Sequence, residues 1–128
     1  MILLDTFTFI GIASEPARLS PTARLKVENA DTRLFVSAIT MFELATAVSK
    51  GRLSLDVDPR TYFTLALARH KVEVLDVTWE IAALSCELPP HHNDPADRFI
   101  IATAIVHDLT LLTPDRHIHR YSDARVSW

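Results

Sequence analysis

The sequence predicts a three-layer α/β domain, with a short, mostly parallel central sheet flanked by helices. Three observations carry this expectation. Short apolar runs at Met1–Leu4, Leu34–Val36, Val72–Leu75 and Leu109–Leu112 alternate with longer stretches of helical pattern. Strands separated by helices imply crossover connections, and crossovers imply parallel pairing. The chain has 128 residues, 48% hydrophobic and 23% charged, which suits one globular domain spanning 1–128.

The elements follow in order. Met1–Leu4 is a buried strand that stops at Asp5 and leads into a loop or helix. Ser20-Pro21 reads as an N-cap and first helical residue, opening a helix to about Ala30. Leu34–Val36 is a brief strand. Thr40 to Lys50 carries Met41, Leu44, Ala45 and Val48 on one stripe, and Gly51 fits the residue past the helix end. Asp58-Pro59 opens a helix to about Arg69, followed by the strand Val72–Leu75. Thr78-Trp79-Glu80-Ile81 starts a helix that stops before Pro89-Pro90, and His91–Asp94 is a polar loop. Asp94-Pro95 starts a helix so apolar from Phe99 to Val106 that it must be buried on most sides. Leu109–Leu112 is a strand, Thr113-Pro114-Asp115 a turn, and Arg125–Trp128 a last strand.

Composition excludes several classes. A single cysteine, Cys86, rules out an internal disulfide framework or a Cys-rich zinc site, and reads as a small buried residue. No apolar run reaches the ~18 residues of a membrane span, and the start lacks the features of a signal peptide. A cytoplasmic protein is expected. The formal net charge is −3, against the basic surface expected of a protein that holds nucleic acid by bulk charge. No lysine follows Lys71.

The acids are better placed than the bases. Ligands of parallel α/β sheets bind beyond the carboxyl ends of the strands. Asp5 ends the first strand, and Asp115 follows the strand at 109–112. Glu43 lies in the first turn of the helix after the second strand, and Asp94 and Asp97 begin the helix at 94–107. Four or five carboxylates are therefore expected on one rim. Such a cluster repels itself, and an all-oxygen donor set suits Mg²⁺ or Mn²⁺ as the compensating charge. Each acid also has a purely local reading. Thr40-x-x-Glu43 is a capping box, Asp94-Pro95-x-Asp97 a helix start, Asp115 a turn residue and Asp5 a cap.

Longer motifs bear on the choice. Leu3-Leu4-Asp5-Thr6, Ser37-x-x-Thr40-x-x-Glu43-Leu44-Ala45, Lys50-Gly51-Arg52-Leu53, His92-Asn93-Asp94-Pro95-Ala96-Asp97-Arg98-Phe99-Ile100-Ile101-Ala102 and Leu109-Thr110-Leu111-Leu112-Thr113-Pro114-Asp115 occur in that order. Over essentially the whole chain this resembles the PIN-domain ribonucleases, in particular the VapC-type toxins of VapBC toxin–antitoxin pairs. Ala96 stands where the family commonly has Phe. The resemblance implies a PIN fold and Mg²⁺- or Mn²⁺-dependent endoribonuclease activity that leaves a 5′-phosphate and a 3′-hydroxyl. It implies that Asp5, Glu43, Asp97 and Asp115 form the metal-binding, catalytic set, with Thr6, Asp94 and Thr113 beside them. RNA substrate, a cognate antitoxin and a homodimer are the implied partners. Arg98 and Arg116 are candidate RNA contacts.

Other readings are weaker. His91-His92 reads as a solvated pair, since metal motifs space their ligands further apart. Trp79 and Trp128 read as core or interface anchors. A dinucleotide fold lacks its Gly-rich loop at Asp5-Thr6-Phe7-Thr8. A receiver domain lacks its late lysine, and a haloacid-type phosphatase lacks a second acid at Phe7. The alternative from another class is a catalytically silent PIN-like module that binds a protein partner or RNA.

Overall fold

The computed structural model describes residues 1–128. Five strands form one sheet: β1 (Ile2–Leu4), β2 (Leu34–Ser37), β3 (Val72–Leu75), β4 (Thr110–Leu112) and β5 (Arg125–Ser127). Their order is β3-β2-β1-β4-β5 and every pairing is parallel. The helices are α1 (Thr6–Ser14), α2 (Pro21–Glu28), α3 (Ile39–Ser49), α4 (Pro59–His70), α5 (Trp79–Glu87) and α6 (Pro95–Val106), with 3₁₀ turns at Pro16–Arg18 and Ile118–Arg120.

Alternation along the strands separates two apolar cores. Ile2, Leu4, Leu34, Val36, Val72 and Leu112 face Phe9, Ile12, Ala23, Leu44 and Phe63. Leu3, Phe35 and Leu111 face Ile81, Ile100, Ile101 and Ala104 of α5 and α6. Because both faces are covered, the central strands read as unbroken apolar runs. Leu3 and Leu4 are fully enclosed, and burying each contributes roughly 1.5–3 kcal/mol.

The helix starts are chemically marked. Asp5, Ser20, Asp58, Thr78 and Asp94 each cap a first turn with a side-chain oxygen, and Pro follows Ser20, Asp58 and Asp94. Gly51 takes φ +70° just past α3, the left-handed turn that glycine adopts without strain. The helix α1 settles what the sequence left open. Its run of Thr, Phe and Ile favours strand as readily as helix, and the Asp5 cap, with burial of Phe9 and Ile12 against the sheet, decides for helix.

Two side chains stand outside the core. Cys86 is exposed, because α5 buries Ile81 and Ser85 and turns the next residue outward. Trp79, in the first turn of α5, is 77% exposed and is no core anchor. Trp128 does pack, edge-on to Phe7 with centroids 6.1 Å apart. No helix is long and apolar enough to cross a membrane.

Candidate functional site

The strand order reverses beside β1: the chain runs outward through β2 and β3 on one side and through β4 and β5 on the other. The crevice at such a switch point, beyond the strand ends, is where open α/β sheets hold ligands. Leu4 is in register with both Val36 and Leu112, so the residues after β1, β2 and β4 emerge at one level. Asp5 follows β1 directly. Thr113 and Asp115 follow β4, Glu43 comes from α3 after β2, and Asp97 from the first turn of α6. Asp5, Glu43, Asp97 and Asp115 line one open cleft of ≈ 360 Å³, together with Thr6, Phe7, Ile10, Arg18 and Pro114. Asp94 lies in an adjoining groove with Thr6, Glu43, Lys50 and Arg52.

Each acid is held by its own contacts. Asp5 is 5% exposed; its Oδ1 accepts the Thr8 backbone N–H at 2.7 Å. Thr6 Oγ1 donates to Glu43 Oε1 at 2.5 Å and lies 3.0 Å from Thr40 Oγ1. Glu43 therefore serves no capping box. The helix begins a residue earlier than the sequence suggests, at Ile39, and Thr40 is buried within it. Asp115 Oδ1 accepts the His117 backbone N–H at 2.8 Å, and Thr113 Oγ1 accepts the Asp115 backbone N–H at 3.1 Å. The Asp115 Oδ2 lies 2.9 Å from His92 Nε2, and Asp97 Oδ2 lies 3.2 Å from the same nitrogen.

Three of the four carboxyls are pushed upward. Burial raises Asp5, against the pull of nearby Thr113 and Thr8 donors, and the Asp115 charge adds to the rise. Burial likewise raises Glu43; the Thr6 hydroxyl opposes it, and the Asp94 and Asp5 charges reinforce it. Asp97 is pushed up to about 7, first by burial and then by the Glu43 and Asp94 charges, with His92 opposing. Burial acts upward on Asp115 too, but donors from His92 and the His117 backbone bring it below the ordinary range.

Such a cluster fits a divalent cation. The donors are carboxylate oxygens, hard ligands of the kind Mg²⁺ and Mn²⁺ take. No Lys or Arg forms an ion pair with any of the four, and the basic side chain set against them is the His92 ring, beside Asp97 and Asp115.

The PIN domain sequence profile matches residues 2–124. The chain belongs to the PIN domain family. It is 38% identical to Ribonuclease VapC22 of Mycobacterium tuberculosis, over 99% of this chain and 98% of that protein. Its fold is similar to a crystal structure of VapBC2 from Rickettsia felis bound to a DNA fragment from their promoter, with TM-score 0.71 and 19% identity, covering 99% of this chain and 98% of that one. A toxin–antitoxin complex from Klebsiella pneumoniae matches with TM-score 0.66 and 21% identity, covering 100% of this chain and 97% of that one.

Within this PIN fold, two sequence-derived assignments look different. Arg98 turns inward, where its guanidinium donates to the carbonyls of Ser85, Leu88, Pro89 and His92 and to Tyr121 Oη. It clamps the loop before α6, with Nε, Nη1 and Nη2 each engaged by that segment. Arg116 is exposed directly beside Asp115. His92, read from sequence as solvated, bridges two of the acids. Arg18, Lys50 and Arg52 were also missed: they line the cleft and its neighbouring groove. Arg18 sits over the Phe7 ring, 4.4 Å from its centroid. Lys50-Gly51-Arg52 was visible as a motif, but nothing local to Arg18 places it near Asp5.

Proposed function

We propose that this chain is a divalent-metal-dependent endoribonuclease that hydrolyses RNA phosphodiester bonds, and the toxin of a toxin–antitoxin pair. The observation that carries this reading is the convergence of Asp5, Glu43, Asp97 and Asp115 on one cleft at the sheet's switch point. The 38% identity to Ribonuclease VapC22 supports it. Residues 1–128 act as one PIN domain in this reading, working in the cytoplasm.

The four acids would hold Mg²⁺ or Mn²⁺, with Asp5 and Asp97 the foremost ligands and Glu43 and Asp115 completing the set. When bound, the cation supplies Lewis-acid stabilisation of charge at the scissile phosphate. The chain's own groups do the rest. Thr6 fixes the Glu43 carboxylate, Thr113 braces the turn that presents Asp115, and Asp94 starts the helix that carries Asp97. Asp97, whose carboxyl burial and the Glu43 and Asp94 charges push up to about 7, would hold the cation in its deprotonated form. Lys50 and Arg52 on one side, with Arg18 and Arg116 on the other, take the phosphates flanking the cleaved bond. This distribution answers the net charge of −3: cations are needed only beside the cleft, not over the whole surface.

The partners in this reading are a cognate antitoxin and a second copy of the chain. The antitoxin is supported by the solved relative described as a toxin–antitoxin complex. The second copy is supported by Phe42 of α3 and Leu65 of α4, which are 63% and 60% exposed. Large apolar side chains on adjoining helices suit a subunit contact.

The test is cleavage of a mixed structured-RNA pool with Mg²⁺, with Mn²⁺ and with EDTA, alongside Asp5→Asn and Asp97→Asn. Metal-dependent cutting that both variants lose is the expected result. Cutting that persists in EDTA, or in both variants, would overturn it. Light scattering at several concentrations tests the dimer, and a monomer throughout would remove that partner.

A further inference from the structure

The geometry points to His92 as a positioning residue of the acidic site, one that donates its ring N–H to the Asp115 carboxylate and stands against the Asp97 carboxylate. This rests on the metal-site reading above and goes beyond it by adding a member that is not an acid.

The hydrogen bonds assign the tautomer. Asp94 donates its backbone N–H to His92 Nδ1 at 3.1 Å, so Nδ1 is an acceptor and the ring proton sits on Nε2. That N–H donates to Asp115 Oδ2, 2.9 Å away, and Asp97 Oδ2 lies 3.2 Å from the same nitrogen as a close polar contact. One ligand atom from each of the three residues lies within 4.8 Å of the others, and the His92 side chain is only 14% exposed. A nitrogen that ligated a cation would need the opposite tautomer, with Nδ1 protonated against the Asp94 N–H. The arrangement therefore makes His92 a donor to one of the acids, Asp115, rather than a ligand itself.

The ring is also anchored from behind. The His92 backbone N–H donates to Tyr121 Oη at 2.9 Å, and its carbonyl accepts from Arg98 at 3.1 Å. Tyr121 Oη in turn donates to Pro89 O at 2.8 Å. Arg98 and Tyr121 thus set the loop, the loop sets the ring, and the ring sets the Asp115 carboxylate beside Asp97, which comes from a separate element. Partners that orient metal-binding carboxylates typically change affinity by about 10–100-fold when removed.

The experiment is Mn²⁺ binding to the purified chain by calorimetry, with pulsed EPR of the bound ion, for the unaltered protein, His92→Ala, His92→Asn and His92→Gln. Circular dichroism checks that each variant is folded. Alanine should weaken Mn²⁺ binding by about 10–100-fold. Asparagine, whose amide stops short of both carboxylates, should resemble it. Glutamine places an N–H near the position of Nε2 and should recover most of the affinity. The unaltered protein should show no coupling from a directly bound nitrogen. Unchanged affinity in the alanine and asparagine variants would overturn the assignment, as would failure of glutamine to rescue. A bound-nitrogen signal lost on substitution would instead make His92 a ligand. Absence of Mn²⁺ binding in the unaltered protein would bring down the metal-site reading itself, a different result from any of these.

Discussion

Asp97→Asn should make the protein more stable while removing its proposed activity, and the size of the gain should depend on pH. Asp97 is held up to about 7 in the fold, from 3.8 when unperturbed. Between those values the folded state keeps a proton that the unfolded chain has released, so stability falls as pH rises from about 4 to about 7 and levels off above. At 1.36 kcal/mol per pH unit, the penalty at pH 8 has a ceiling of about 4 kcal/mol. Sharing of protons with Glu43 reduces it, and losing an acid from the first turn of α6 costs about 0.3–1 kcal/mol. A net gain of about 2 kcal/mol remains, or roughly 6–10 °C in melting temperature for a domain this size. Scanning calorimetry in EDTA at pH 4 and pH 8 measures it. The gain should appear at pH 8 and be absent at pH 4, while RNA cleavage with Mn²⁺ disappears. A variant that melts lower than the parent at pH 8, or whose gain is the same at both pH values, would refute the reasoning and leave Asp97 as a helix-start residue.

Other outcomes follow from the same contacts. Thr6→Val removes the donor to Glu43 Oε1, and should cost about 1–3 kcal/mol in urea unfolding while slowing RNA cleavage. Arg98→Lys cannot reproduce a guanidinium shared among four carbonyls and a phenol; a loss of about 2–4 kcal/mol is expected by urea denaturation, whereas an RNA-contact role would weaken binding and leave stability alone. Arg33 and Glu73 pair at 2.8 Å on an open surface, so Glu73→Gln should change stability by less than about 1 kcal/mol. Saturating Mn²⁺ at 100 times its dissociation constant should stabilise the parent by about 2.7 kcal/mol, with the gain abolished in Asp5→Asn.

The local readings and the functional reading turn out to be compatible. Asp5 does cap α1, Asp94 does cap α6, and Asp115 does close a turn. A carboxylate has two oxygens with several lone pairs, so one oxygen can serve the backbone while the other faces the cleft. Capping contacts therefore fix where these acids point. Glu43 is the exception, because its helix starts earlier than Thr40 and its side chain turns to Thr6 instead of its own first turn.

What the sequence determined by itself lies within a few residues of each signal. Ser20-Pro21, Asp58-Pro59 and Asp94-Pro95 mark helix starts because cap and ring geometry act inside one turn. The apolar runs mark strands because burial on both faces of a parallel sheet demands them. Asp5 and Asp115 could be placed on the ligand-binding edge because each follows a strand. What only the tertiary structure decided are the contacts between distant segments. Thr6 meets Glu43 across 37 residues, and His92 meets Asp115 across 23. Arg98 finds carbonyls in the preceding loop, and Arg18 stacks on Phe7 beside the acids. A histidine in a polar loop or an arginine on a helix carries no local mark of its partner. Its role is set by which elements the crossovers bring to the switch point, and that follows from the packing of the whole sheet.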